Sequence, residues 1–86
     1  MGKHKESIKL AIKDELIGRF RATNALEGDM LSPGWLYDVY LPTLGAKEEK
    51  AFEEVISEMI FDGIIEYVHD RKPSYRLTKK GEEILC

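Results

Sequence analysis

The sequence predicts one α+β domain of three helices, a two-stranded ribbon and a short closing helix. Three observations predict it. Apolar residues recur at helical spacing from Ile8 to Phe20 and again from Phe52 to Ile60. Between Phe61 and Gly81 the pattern changes to a helix stop at Asp62 and Gly63, two extended runs about a charged tip, and a new start at Thr78. With 86 residues, 43% of them apolar and 34% charged, the chain has the composition of a soluble globular domain around one core, and no apolar run is long enough to span a bilayer.

The first helix is expected over about residues 6–22, where Ile8, Ile12, Leu16 and Phe20 follow one another every four residues along a drifting face. Leu10 and Ile17 fall on another side. Either the small domain wraps enough chain around this helix to cover both stripes, or the second stripe meets another subunit in a homodimer. Asn24 to Asp29, with Gly28, reads as a turn, and Met30 with Leu31 as a very short strand.

Ser32 before Pro33 marks a second helix over about 33–40, because serine accepts a first-turn amide and proline there loses no bond. Leu36, Val39 and Tyr40, beside Trp35, give it an inward face. Trp35 and Tyr37 are read as core or, alternatively, as part of a ligand or partner surface. Pro42 biases Leu41 away from helical geometry, so the helix is expected to stop there and the chain to turn over 43–45.

The third helix, over about 46–62, carries Phe52, Val55, Ile56, Met59 and Ile60 at spacings of three and four. Glu48 and Glu49 suit the positive end of its dipole, and Gly63 suits a left-handed closing position. The ribbon spans about 64–77, with strands from Ile64 to Asp70 and Tyr75 to Leu77, Pro73 at the tip, and Tyr67 facing Tyr75. Thr78 can cap a short helix over about 79–85, which Gly81 weakens unless it packs through Ile84 and Leu85.

The net charge of −3 hides a segregation. Residues 1–26 balance at +3, residues 27–70 at −9 with only Lys47 and Lys50 as bases, and residues 71–86 at +3. A phosphate backbone senses such local patches. Enzyme chemistry is not indicated. The single cysteine, Cys86, shares no ligand spacing with His4 or His69, so neither a metal site nor a disulfide within the chain is expected, and no motif for a cofactor occurs. Asp14 with Glu15, and Glu82 with Glu83, are helix neighbours that point apart and cannot work as an acid and base pair. The basic start of the chain lacks the apolar block of a secretory signal, and a cytoplasmic location is the default expectation.

Met59, Ile60, Phe61, Asp62, Gly63, Ile64, Ile65, followed by Tyr75, Arg76, Leu77, Thr78, Lys79, Lys80, Gly81, resemble the recognition-helix end and wing of winged helix-turn-helix regulators of the MarR and PadR types. The resemblance covers the chain from Ile8 onward. It implies a three-helix core with a two- or three-stranded β-wing and a short C-terminal helix, double-stranded DNA as partner, and transcriptional regulation as role. It also implies that the third helix enters the major groove, with Lys50, Ala51, Glu53, Glu54 and Ser57 on its solvent face and Lys47 near its start. Arg71 and Lys72 at the wing tip, with Arg76, would then hold flanking backbone or minor groove. Lys5, Lys9 and Lys13 form a further basic stripe, open to phosphate or neutralised by neighbours such as Glu6, Asp14 or Glu66.

Glu53 and Glu54 depart from that family's pattern of serine, threonine and arginine. A carboxylate is repelled by phosphate, and on the base edges it is a cytosine amino group that donates to it directly. The alternative is therefore an interaction module whose acidic third helix, with Glu49, Glu53, Glu54 and Glu58, docks on a basic protein surface. Fold by itself does not choose between the two.

Overall fold

Helix α1, Gly2–Ala22, supplies the spine of the core through Ile12, Leu16 and Phe20, all buried. The computed structural model describes the backbone of residues 2–85 and the side chains of residues 6–85, so Cys86 and the side chains of Lys3 and Lys5 lie outside the described residues. The helix starts before the expected sixth residue because the sequence from Lys3 to Glu6 contains no breaker. Ile17 packs against the core while Leu10 is 60% exposed, so the two do not share one outward stripe. Asn24, with a φ of 52°, then turns the chain.

After α1 the chain crosses back along the ribbon. The Gly28 N–H donates to the Leu77 carbonyl at 2.8 Å, the Leu77 N–H to Asp29 at 2.9 Å, and the Leu31 N–H to Tyr75 at 2.8 Å. Met30 therefore forms the expected short bridge, opposite Arg76.

The second helical segment differs from expectation in its winding. Ser32 accepts the Trp35 N–H at 3.3 Å through Oγ and the Leu36 N–H at 2.9 Å through its carbonyl. Trp35–Tyr40 is then a π-helix, closed by the Leu41 N–H donating to Leu36, and Leu41–Thr43 follows as a 3₁₀ turn. The wider winding brings Trp35 and Tyr40, five residues apart, into a parallel stack with centroids 4.9 Å apart. It also turns Val39 outward, contrary to its expected inward place, and leaves Leu36 buried. The segment ends at Tyr40 as expected, but not because Leu41 leaves helical geometry. Leu41 keeps φ −57° and ψ −37°, and Pro42 sits in the first positions of the 3₁₀ turn, where an absent N–H leaves no helical bond unmade.

Helix α2, Ala46–Phe61, is the expected third helix. The Glu48 carboxylate accepts the Gly45 N–H at 2.7 Å and so satisfies the chain at its entry. Its buried face is Ala51, Phe52, Val55, Ile56 and Met59. Ala51 was expected on the solvent face and Ile60 on the buried one; both expectations are corrected, because the face is centred on the 51/55/59 row that meets α1. At the end, the Gly63 N–H donates to Ile60 at 3.0 Å and the Ile64 N–H to Met59 at 2.9 Å, with Gly63 at a φ of 77°. This paired closure uses the left-handed glycine anticipated at that position.

Strands β1, Ile65–Val68, and β2, Ser74–Leu77, pair antiparallel, with Ile65 opposite Leu77 and Tyr67 opposite Tyr75. The first strand is shorter than expected at both ends. Ile64 belongs to the helix closure, and at the tip the Asp70 carboxylate accepts the Arg71 N–H at 2.8 Å and bends the chain. Helix α3, Lys79–Leu85, completes the α+β architecture. Among the described residues no helix is long and apolar enough to cross a membrane.

Thr78 joins these parts. Its Oγ1 accepts the Gly81 N–H at 3.0 Å and points its hydroxyl at the carbonyls of Gly63 and Ile64. Gly81 is buried, and a Cβ there would lie 2.6 Å from Leu77 Cδ1 and collide with the Ile64 carbonyl oxygen. What reads in sequence as a weakness of α3 is a requirement of close approach. Gly81→Ala is therefore expected to destabilise the fold by about 1–3 kcal/mol through overpacking, measured by urea denaturation. Helix propensity alone predicts a gain of about 1 kcal/mol, so a stabilised variant would contradict this packing.

Candidate nucleic-acid interface

The outward face of α2 follows from the placement of its buried row. Ala46, Lys50, Glu53, Ser57 and Phe61 succeed one another at spacings of four, three, four and four, and all are exposed. Phe61, directly before the helix closure, is 90% exposed. Lys47 is exposed in the first turn, and no ion pair among the described residues holds Lys47 or Lys50.

The other mid-helix acids are turned elsewhere. The Glu58 carboxylate pairs with the Lys9 ammonium across the contact between α1 and α2. Its hydrogen bond holds Lys9 above the ordinary lysine value; burial opposes this, and the charges of Glu58, Glu54 and Glu6 add to it. Glu54 is half-buried and acts on the same lysine. Lys9 therefore does not belong to an open stripe with Lys5 and Lys13. Of the four acids proposed for a basic partner, Glu49, Glu53 and Glu58 are exposed and Glu54 is half-buried, and Glu58 is already paired with Lys9.

The ribbon tip is held by the π-helical segment. The Tyr37 hydroxyl donates to the Pro73 carbonyl, and the Lys72 ammonium lies 4.8 Å from the Tyr37 ring centroid. Tyr67 meets Tyr75 at 6.0 Å and His69 at 5.0 Å, both at steep ring angles. Tyr37 thus serves neither simply as core nor as an open surface; it braces the tip. Lys72 is drawn onto this ring, whereas Arg71 stays exposed at the tip.

Arg76 is placed differently from expectation. Its Nε and Nη2 donate to Glu66 Oε2 at 3.0 and 2.7 Å, a cross-strand pair set by the register of Glu66 opposite Arg76. An exposed pair of this kind contributes only about 0–1 kcal/mol, but it neutralises the charge locally. Lys80 donates to the Asp62 carbonyl at 2.7 Å and closes the negative end of α2. An open groove of about 840 Å³ lies between Ile60 and the ribbon base, with Arg76, Lys79 and Lys80 set against Glu27 and Glu66.

Of the six residues expected on DNA, Lys47, Lys50, Ser57 and Arg71 are exposed and no ion pair among the described residues holds their side chains, while the Lys72 and Arg76 side chains are engaged within the chain. The outward aromatic ring of Phe61 is a further candidate, which its position two residues past Met59 on the helical wheel sets opposite the core.

Burial raises the Tyr75 phenol above its ordinary value of 10.0, and the charges of Tyr37, Tyr67 and Glu53 add to the effect. The folded state holds this proton more tightly than the unfolded chain, so the stability it contributes is complete below the ordinary value and is lost as pH rises through the folded one. The urea midpoint is expected to fall above about pH 10, and to fall less in Tyr75→Phe. Equal falls in both proteins would contradict the burial assigned to this phenol.

Comparison with known proteins adds no family. No protein-family model, no curated protein and no solved structure matches the chain.

Proposed function

We propose that this chain is a winged-helix domain that binds double-stranded DNA and acts in transcriptional regulation. Three helical segments, a ribbon extended by the bridge at Met30, and a closing helix follow in the order such a domain requires. The observation that carries the reading is the outward face of α2, where Lys50 and Ser57 stand exposed and Glu54 and Glu58 are turned toward α1. A helix with side chains is about 10–12 Å across, and the major groove is about 12 Å wide.

In this reading α2 lies in the groove. Lys47 holds phosphate near the helix N-terminus, where the dipole adds to its charge. Lys50 and Ser57 face base edges, and Arg71 reaches flanking backbone from the ribbon tip. Lys72 and Arg76 contribute less, because each gives up an internal contact to engage DNA.

Fluorescence anisotropy with a labelled duplex tests this. Affinity is expected to fall linearly on a log–log plot against salt, and Lys47→Ala and Arg71→Ala each to reduce the slope by about 1. Arg76→Ala should change it less, since Glu66 already neutralises that guanidinium. Absence of duplex affinity at low salt would overturn the reading.

A further inference from the structure

We propose that Glu53 selects sequence by accepting a hydrogen bond from the 4-amino group of a cytosine in the major groove, with Lys50 on a guanine beside it. The inference rests on the DNA-binding reading above and gives its target a composition. Glu53 stands on the outward row of α2, three residues after Lys50 and four before Ser57, and is exposed. Neither Lys50 nor any other base forms an ion pair with it among the described residues. The neighbouring acids do not share its position: Glu58 is bound to Lys9, and Glu54 lies half-buried toward the same lysine. One carboxylate, held by no base among the described residues and felt within the chain only through its charge on the Tyr75 phenol, thus remains in the middle of the face.

An ionised carboxylate has acceptors only. On a DNA-facing helix it is repelled by phosphate and by the acceptor atoms of guanine and thymine, so it requires a donor on a base edge. Cytosine N4 and adenine N6 are the two major-groove donors. Adenine sets its N7 acceptor beside N6, which suits an amide and disfavours a second carboxylate oxygen; cytosine has no such acceptor. The partner of Glu53 is therefore cytosine. Lys50 and Glu53 are separated along the helix axis by about 4.5 Å, close to the roughly 3.4 Å step between base pairs, so they address neighbouring pairs. Lysine favours guanine O6 and N7. Together the two residues specify a short step rich in G·C, and the same carboxylate discourages binding elsewhere.

Selection from a randomised duplex DNA pool at low salt, carried out with the full chain and with Glu53→Gln and Glu53→Ala, tests this. The wild-type chain is expected to enrich cytosine at one position by about tenfold over other bases. E53Q should shift the enriched base there to adenine, which glutamine bonds through N6 and N7. E53A should lose the preference and bind the unselected pool more tightly, because a repulsive charge is removed. Circular dichroism should show all three proteins equally folded, as the residue is exposed. Cytosine enriched equally by all three, or wild-type binding with no cytosine-dependent position, would overturn this inference and leave the DNA-binding reading standing. No retention of duplex by the wild-type chain would overturn both.

Discussion

Everything on the ribbon side of the molecule depends on how closely the start of α3 approaches the end of α2. The backbone of Gly81 lies against the Ile64 carbonyl with no room for a Cβ. Thr78 completes the junction, accepting the Gly81 N–H while its own N–H donates to Ile64 at 3.1 Å. Polar groups that would otherwise be left without partners near the core are thereby paired, which matters because a buried group left unpaired costs about 1–3 kcal/mol. The junction also sets the direction in which β2 arrives. From that direction follow the register of β2 against β1 and the bonds to Gly28, Asp29 and Leu31.

Charge is partitioned by the same packing. The contact between α1 and α2 brings Lys9 to Glu58 and Glu54, and the strand register brings Arg76 to Glu66. An acidic middle segment and basic ends, unpromising for DNA when counted along the chain, become a surface on which several acids already face bases of the same chain. The outward row of α2 retains Lys50, Glu53, Ser57 and Phe61. Its chemistry is mixed, with one cation, one anion, one hydroxyl and one ring, which suits reading base edges better than holding phosphate alone.

Much of the architecture was legible in sequence. Ile12, Leu16 and Phe20, the Ser32–Pro33 start, the Gly63 closure, the Thr78 cap and the Tyr67–Tyr75 pair are each short-range signals, and each occupies its expected place. The differences arise where a distant contact decides. In the π-helix Trp35–Tyr40 the rings of Trp35 and Tyr40 stack, and Arg19 of α1 lies 5.2 Å over Trp35, a contact no local propensity contains. Ala51 is buried because α1 crosses that flank. Gly81 weakens α3 by local propensity, but its lack of a side chain is what the contact with Ile64 and Leu77 requires. At the candidate interface, Lys47, Lys50, Ser57 and Arg71 could be selected by position alone. That Lys72 and Arg76 are engaged internally could not, since Tyr37 and Glu66 reach them only after folding.

The central claim is that the outward row of α2, with the ribbon tip, is the surface that meets double-stranded DNA. Titration of an isotopically labelled chain with an unlabelled duplex, followed by amide chemical shifts, tests it residue by residue. Saturable changes at Lys47, Lys50, Ser57 and Arg71, with Ile12 and Leu16 in the buried row of α1 unmoved, are the predicted result. Changes confined to α1 and α3, with the α2 row silent at saturating duplex, would contradict it.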